Sequence, residues 1–169
     1  YFKNNNLALI NHHIDSYNDF FENGISQIFQ ETNPIKIRKN YDKNIDDFRF
    51  KIDIFIGSKS GEKIYYGKPV IYEKKNHYMY PNEARLKNMT YSTTIHYDID
   101  VICSIIDKYS KEVTIEEKRF ENIYFGRFPI LLHSNLCVLN NLPKSIIFNM
   151  GECKNDNGGY FIIDGKEKC

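Results

Sequence analysis

A short stretch in the middle of the sequence carries polar groups that could bind a cation. His96, Asp98 and Asp100 are spaced by two residues, so they share one face if the stretch is a strand. Neighbours on such a face lie about 6.5–7 Å apart, so they reach one ion only if the side chains lean together. The apolar residues that alternate with them indicate an ordinary antiparallel strand. We therefore interpret this polar face as solvated.

Other residues with possible metal or nucleophilic chemistry lack the required spacing. His12, His13 and Asp15 do not include the i, i+4 histidine pair of a helical zinc site. The four cysteines, at positions 103, 137, 153 and 169, contain no C-x-x-C pair, and they favour a reducing compartment over a disulfide scaffold. P-loop and G-x-S-x-G patterns are absent from the sequence. We predict no catalytic residue and no metal site in this chain.

Tyrosines and lysines are interleaved between residues 65 and 80, a mixture that can stack bases and bind phosphates. The alternative is a strand surface whose composition reflects an AT-rich genome, since the chain is rich in Asn, Ile and Lys and poor in Ala. The residues are Tyr65, Tyr66, Lys68, Tyr72, Lys74, Lys75, Tyr78 and Tyr80.

Overall composition limits the class of protein. The 169 residues are 41% apolar and 27% charged, with a net charge of +1, which fits one domain with its own core. The balanced charge excludes a polybasic nucleic-acid tail and an acidic tail. No apolar run approaches 18 residues, so no transmembrane helix is expected, and no signal peptide is visible. Because the chain begins at Tyr1 and stops within a predicted hairpin, we expect a fragment of a longer protein.

Hydrophobic periodicity predicts the elements that would position these residues. An apolar stripe at helical spacing predicts a helix over 7–30, which Asn33-Pro34 ends. Polar residues 35–45 indicate a loop. Period-two alternation predicts strands over 48–56 and 93–106, with return strands over 63–66 and 112–125. Helical turns are predicted over 82–89 and 143–150, and Gly151 follows the second of them. Asp164-Gly165 predicts a hairpin.

Together these elements predict an α+β fold, an N-terminal helix plus a mixed and mostly antiparallel sheet. We divide the chain into an N-terminal helical segment, 1–34, and a sheet domain, 35–169.

Five blocks, in order along nearly the whole chain, resemble the second-largest subunit of multisubunit DNA-directed RNA polymerases, in its eukaryotic, archaeal and viral branch. Two departures are Asp164, where the family has Asn, and Cys169, where it has Val or a similar apolar residue. The blocks are 14–20 (IDSYNDF), 64–69 (IYYGKP), 80–92 (YPNEARLKNMTYS), 126–134 (GRFPILLHS) and 151–165 (GECKNDNGGYFIIDG).

The resemblance implies that residues 35–169 are the first part of the protrusion domain, one wall of the DNA cleft in template-directed RNA synthesis. It implies that the partners are the largest subunit, other polymerase subunits, the DNA template and the RNA–DNA hybrid, with no membrane. It also implies that Mg²⁺ is bound mainly by the largest subunit of the assembled enzyme. The family's Zn²⁺ site would lie outside this chain, which itself would lack the catalytic centre.

The resemblance also assigns roles to residues within these blocks and directly after the last one. Lys168 is the first candidate to face nucleic acid, because the family has a basic residue at this step, and Arg127 and Lys166 follow. Arg85 is expected to be paired, with Glu83 or a carbonyl, since an unpaired buried guanidinium is costly. The residues expected to shape a rigid wall are Pro81, Glu83, Arg85, Tyr91, Gly126, Pro129, Gly151, Gly159 and Gly165.

Three further interpretations stay open from the sequence. The chain could instead be a stand-alone single-stranded nucleic-acid binding module or a virion structural protein. Its AT-rich composition favours a large DNA virus, which would place it in cytoplasmic viral factories or the virion, whereas a cellular source would place it in the nucleus. Cys169 interrupts the family sequence and could be a splice junction of an intein.

Overall fold

The N-terminal helix is the first element of the computed structural model, which describes residues 9–72, 76–107 and 109–169. It consists of α1 (Asn11–Asp19), a π-helical turn (Phe20–Gly24) and α2 (Ile25–Thr32). The helix predicted over 7–30 is thus confirmed for the part of the chain that the structure describes. Residues 7 and 8 lie outside the described residues. Asn33 ends the helix because its side chain exchanges hydrogen bonds with the backbone of Ile56, at 2.7 and 2.8 Å.

The largest sheet has five strands and confirms the predicted α+β class. Its strands are β1 (Ile35–Asp42), β2 (Asp47–Ile56), β3 (Ile64–Tyr66), β6 (Ser92–Ile106) and β7 (Val113–Pro129). The strand order is β1-β2-β6-β3, and β7 also pairs with β6. Both β1–β2 and β2–β6 are antiparallel. The predicted return strand at 63–66 is present, but it pairs with β6 and not with the strand that precedes it.

The loop predicted over 35–45 is wrong, because residues 35–42 form strand β1. Ile35 and Ile37 stand opposite Ile54 and Ile52 of β2. The lysines, arginine and asparagine of this segment are compatible with an edge strand, where charged side chains reach water. Polarity alone therefore indicated a loop where backbone pairing makes a strand.

Four short strands and two short helices complete the described chain. The helical turns predicted over 82–89 and 143–150 and the hairpin at Asp164-Gly165 are confirmed. The hairpin strands are β4 (Val70–Ile71) with β5 (His77–Tyr78), and β8 (Phe161–Ile163) with β9 (Lys166–Lys168), and the helices are α3 (Pro81–Leu86) and α4 (Lys144–Asn149).

The chain forms two compact units, each built from segments distant in sequence. Among the described residues, the first comprises 9–23, 66–72, 76–95 and 126–169, and the second comprises 24–65, 96–107 and 109–125. The sequence-based division at residue 34 stays a prediction. Over the described ranges, no helix is both long and apolar enough for a bilayer crossing.

The first unit contains the main hydrophobic core. Tyr91 lies at its centre: its backbone N–H donates to Ile162 at 3.0 Å, and its carbonyl accepts from Ile130 at 2.9 Å. The Tyr91 hydroxyl accepts a hydrogen bond from the Val138 N–H at 3.1 Å, and burial raises the pKa of this phenol. The buried cluster is Ile71, Met79, Ala84, Tyr91, Ile130, Leu132, Cys137, Leu139 and Ile162.

Candidate nucleic-acid interface

The hairpin β8–β9 positions the lysines that the sequence singles out. Asp164 and Gly165 form a two-residue turn with positive φ, 51° and 73°, and Ile163 pairs with Lys166 across it. Two positive φ angles define a type I′ turn, whose twist matches that of the flanking strands. Asp-Gly satisfies this geometry as Asn-Gly does, which accounts for Asp164 at a position where the resembled family has Asn.

Strand β9 presents its two lysines on one face and a glutamate on the other. Lys166 and Lys168 are two residues apart, and Glu167 between them points the opposite way because strand side chains alternate. Glu167 Oε1 accepts a hydrogen bond from Arg85 Nε at 2.8 Å. Glu167 pairs across the hairpin with the buried Ile162, so its face of β9 is turned towards the body of the first unit, although all three residues of β9 are exposed.

The lysine face adjoins an aromatic cavity in the same unit. Lys168 stands opposite Phe161 and Lys166 opposite Ile163, and cross-strand pairs share a face. Phe161 and Ile163 line a cavity of about 710 Å³. A groove that combines aromatic rings with adjacent cations suits a nucleic-acid strand, because rings stack bases and ammonium groups meet phosphates. The other lining residues are His12, His13, Ser16, Tyr17, Phe20, Phe21, Phe128, Pro129 and Leu131.

Pro129, at the end of β7, is held to the N-terminal helix. The Tyr17 hydroxyl donates a hydrogen bond to the Pro129 carbonyl at 2.8 Å. The Tyr17 and Phe21 rings lie 4.6 Å apart, and Phe21 meets Phe128 edge-on at 6.2 Å. Burial raises the pKa of the Tyr17 phenol, so it stays a donor at physiological pH. These contacts hold one side of the aromatic cavity together.

Arg85 has different partners from those expected. It does not pair with Glu83; its Nη1 bonds Glu152 Oε2 and its Nη2 bonds Tyr160, each at 2.8 Å. Glu83 bonds His77 at 3.0 Å and Lys87 at 2.9 Å, and these hydrogen bonds lower the pKa of its carboxyl. Arg85 has these partners because α3 turns it towards the block at 151–165, whereas Glu83 lies on another side of the helix.

Arg127 is not part of the lysine face. Its neighbour Phe128 lines the aromatic cavity, so alternation along β7 places Arg127 on the other face. There its guanidinium lies 5.7 Å from the centre of the Tyr72 ring. The structure thus brings Lys166 and Lys168 together and leaves Arg127 apart from them.

The interpretation of Asp98 and Asp100 as solvated is wrong, since both are buried in the second unit. Arg119 bonds Asp100 at 2.7 and 3.2 Å and Ser58 donates to the same carboxyl; this pairing, led by Arg119, lowers its pKa to about 2. Asp98 accepts from Tyr65 at 3.1 Å and lies 3.8 Å from Lys63. No local pattern indicates these partners, because β3, β7 and the turn at 57–63 supply them from elsewhere in the chain.

These acidic residues do not fit a divalent cation. Both carboxylates already face a cationic side chain and a hydroxyl donor. Among residues 9–72, 76–107 and 109–169, no group of three or more His, Cys, Asp or Glu side chains is placed to hold a metal ion. None of the four cysteines, all within the described ranges, forms a disulfide.

The interleaved tyrosines and lysines are divided between the two units. In the first unit, Lys68 lies 5.4 Å from the centre of the Tyr78 ring, and both line a second cavity of about 560 Å³ with Tyr66 and Tyr80. Tyr65 belongs to the second unit and bonds Asp98. The predicted contributions of Lys74 and Lys75 lie outside the described residues.

Sequence reasoning missed the aromatic lining and the anchoring role of Glu167. The position of Glu167 could have been inferred from the sequence Lys166-Glu167-Lys168 after a turn. In a strand, alternation places the glutamate on one face and both lysines on the other. The lining residues come from three segments that are distant in sequence, so no local pattern could assemble them.

Comparison with known proteins defines the family. The family model described as RNA polymerase beta subunit matches residues 8–169, and the chain therefore belongs to this family. It corresponds to the N-terminal region of the second-largest RNA polymerase subunit.

Relatives come from plants, archaea and fungi. The chain is 32% identical to DNA-directed RNA polymerase II subunit 2 of Arabidopsis thaliana and 33% identical to DNA-directed RNA polymerase subunit Rpo2N of Methanothermobacter thermautotrophicus. It is 32% identical to DNA-directed RNA polymerase III subunit RPC2 of Saccharomyces cerevisiae. Each match covers 95% of this chain, but only 14%, 27% and 12% of the respective relative.

Proposed function

We propose that this chain acts as the N-terminal part of the second-largest subunit of a DNA-directed RNA polymerase and contributes to the wall of its DNA cleft. Family membership over residues 8–169 supports this function. The proposed activity, template-directed RNA synthesis, belongs to the assembled enzyme. The proposed partners are the largest subunit, the other polymerase subunits, the DNA template and the RNA–DNA hybrid.

The proposed role of the chain is positional. Two-metal polymerisation needs the template and the RNA end held in register, which a rigid wall supports without supplying a reacting group. Mg²⁺ would be bound mainly by the largest subunit, and the family's Zn²⁺ site would lie outside these residues. A eukaryotic cellular source would place the enzyme in the nucleus. A viral source would place it in cytoplasmic factories or the virion.

The nucleic-acid contact we propose is made by Lys168 and Lys166. This contact is supported by the position of the two ammonium groups, which lie on the same face of β9, beside the aromatic cavity. The Glu167–Arg85 ion pair is on the opposite face of the strand. A lysine meets phosphate as a point charge and reads no base. Arg127 is the weaker candidate, since it lies over Tyr72 on the other face of β7.

The test is Lys168→Ala in the complete polymerase. We expect the elongation complex to lose stability without a change in sequence preference, and the salt-dependence slope to shrink by about 0.9 for one lost duplex-like phosphate contact. Lys166→Ala should act in the same direction. Lys144→Ala, an exposed lysine at the start of α4, is the matched control and should leave the slope unchanged. Normal stability and an unchanged slope for Lys168→Ala would contradict the contact.

A further inference from the structure

Arg85 bonds three side chains that lie 67 to 82 positions away in sequence. Its Nη1 bonds Glu152, its Nη2 bonds Tyr160 and its Nε bonds Glu167, each at 2.8 Å. The Glu152 side chain is 3% exposed, whereas that of Glu167 is 56% exposed. The guanidinium therefore joins a buried carboxylate, which needs a charged partner, to an exposed one, which water could solvate.

Hydrogen bonds fasten the turn of the β8–β9 hairpin to the first unit. The Gly165 N–H donates to the Met89 carbonyl at 3.0 Å. The Asp164 N–H donates to Thr90 Oγ1 at 3.1 Å, and the Thr90 hydroxyl donates to Asp164 Oδ1 at 3.2 Å. Strand β9 follows this turn and pairs with β8 over three residues in a two-stranded sheet. Because a two-stranded sheet is marginally stable by itself, the position of β9 depends on further contacts.

The bond between Glu167 and Arg85 is such a contact. Glu167 is the middle residue of β9, and Arg85 reaches it from α3, a helix whose first residue, Pro81, is buried. Arg85 has a planar fork of donors, and Glu152 and Tyr160 already hold two of its nitrogens in place. The third nitrogen therefore offers Glu167 a fixed position, and the lysines on either side of Glu167 are fixed with it.

The charge of Glu167 does not favour a site that binds phosphate. Glu167 lies between Lys166 and Lys168 in sequence, and its carboxylate repels an approaching phosphate. Arg85 does not cancel this charge, because it is shared between the carboxylates of Glu152 and Glu167. By charge alone, a glutamate at this position weakens the binding of nucleic acid. Any favourable contribution of Glu167 must therefore come from the geometry that it imposes.

We propose that Arg85 is a positioning residue for nucleic-acid binding: through its bond to Glu167 it holds β9 so that Lys166 and Lys168 meet the phosphate backbone. This inference rests on the proposed function, in which the two lysines make that contact. Binding normally costs the free energy of ordering the groups that bind, and a strand that is already held in place reduces this cost. Arg85 thus acts through Glu167 and makes no contact with nucleic acid itself.

The test is Glu167→Ala in the complete polymerase, because the positional and the electrostatic roles predict opposite results. We expect the lifetime of the elongation complex to fall about threefold, the effect of one exposed ion pair. We also expect the salt-dependence slope to shrink, by up to about 0.9 for each phosphate contact that is lost. If Glu167 only repels phosphate, its removal would lengthen the lifetime and would not shrink the slope. That result would overturn the inference.

Two further variants control for charge and for exposure. Glu167→Gln keeps an oxygen that accepts from Arg85 Nε, so it should retain the natural slope. Glu117→Ala is the matched control, because Glu117 is 63% exposed and bonds a lysine, Lys59, at 3.3 Å in the second unit. It should leave the slope unchanged. A slope that shrinks equally in Glu167→Gln, or in Glu117→Ala, would mean that the bond to Arg85 is not the cause, and would overturn the inference.

Arg85→Lys tests the other partner of the bond. A lysine retains the positive charge that buried Glu152 needs, but it lacks the fork of donors that binds three partners at once. Arg85→Lys should therefore assemble into polymerase and shrink the slope as Glu167→Ala does. The double variant should lose no more than either single variant, because both substitutions remove the same interaction. Additive losses would overturn the inference.

The lysine variants distinguish failure of this inference from failure of the proposed function. A slope that shrinks with Lys168→Ala but not with Glu167→Ala would refute only the positioning role of Arg85. A slope that neither Lys168→Ala nor Lys166→Ala changes would refute the nucleic-acid contact, and the positioning role with it.

Discussion

Arg85 and Glu152 lie 67 positions apart in sequence and form an ion pair with 2.8 Å between Nη1 and Oε2. The Glu152 side chain is only 3% exposed, and its Oε1 has no hydrogen-bond partner in the described part of the chain. Arg85 is therefore the group that compensates a buried negative charge. The same guanidinium also holds Tyr160 and Glu167, so it joins α3 to the hairpin that carries the lysines.

Removal of the guanidinium should destabilise the chain strongly. Arg85→Met would leave Glu152 buried and unpaired, and we expect a loss of about 3–5 kcal/mol in the free energy of unfolding, measured by urea denaturation. The double variant Arg85→Met with Glu152→Met removes both charges and should recover much of that loss. A cost below about 1 kcal/mol for Arg85→Met, as for a surface pair, would contradict this role.

Acid should weaken the second unit through Asp100. The pKa of this carboxyl falls from 3.8 to about 2 in the folded chain because of Arg119 first and Ser58 in addition. The unfolded chain thus binds the proton more readily, so this stabilisation is complete above about pH 4 and is lost as pH falls through about 2. Asp100→Asn should flatten the pH dependence of unfolding between pH 2 and pH 4. It should cost about 1 kcal/mol at neutral pH, since Arg119 is half exposed. An unchanged profile would exclude the pairing.

Two glycines of the family blocks should respond differently to alanine. Gly165 has a φ of 73°, and an added Cβ would lie 2.8 Å from Asn88 Cα and 2.9 Å from the Arg85 carbonyl oxygen, both backbone atoms. Gly165→Ala should therefore cost roughly 1–3 kcal/mol in thermal or urea unfolding. Gly126→Ala is the control, because its nearest neighbour would be the Phe128 ring at 3.9 Å. Equal effects of the two substitutions would argue against the turn geometry.

The Tyr17 hydroxyl should contribute modestly to stability. Tyr17→Phe removes its hydrogen bond to the Pro129 carbonyl and leaves the ring in place, so we expect a loss of about 1 kcal/mol. Tyr124→Phe, at a tyrosine that is 56% exposed, should change the free energy of unfolding by much less. Denaturation curves of the two variants compare the effects directly. A loss as small for Tyr17→Phe as for Tyr124→Phe would mean that water replaces the buried contact.

Local sequence patterns predicted those elements whose signals are local. The alternation in β2 and β6, the proline at the start of α3 and the Asp164-Gly165 turn each act through neighbouring residues. Strand β1 was missed because its polar composition is equally compatible with a loop, and only pairing with β2 distinguishes the two.

The partners of charged residues were beyond the reach of local patterns. The carboxylates that bind Arg85 come from positions 152 and 167, and Asp100 is bound by Arg119 across β6 and β7. Local patterns favoured Glu83 or a carbonyl as the partner of Arg85, and they favoured a solvated Asp100. Both expectations were wrong, because burial makes distant partners necessary.

The alternation of Lys166, Glu167 and Lys168 makes the hairpin sensitive to length as well as to composition. If one residue were inserted into the two-residue turn and β9 slipped by one position against β8, its faces would exchange. Both lysines would then approach Arg85, and Glu167 would face the aromatic cavity. The charge on each face of β9 would therefore change sign. Among natural variants we therefore expect substitutions in this turn to be tolerated more often than insertions or deletions.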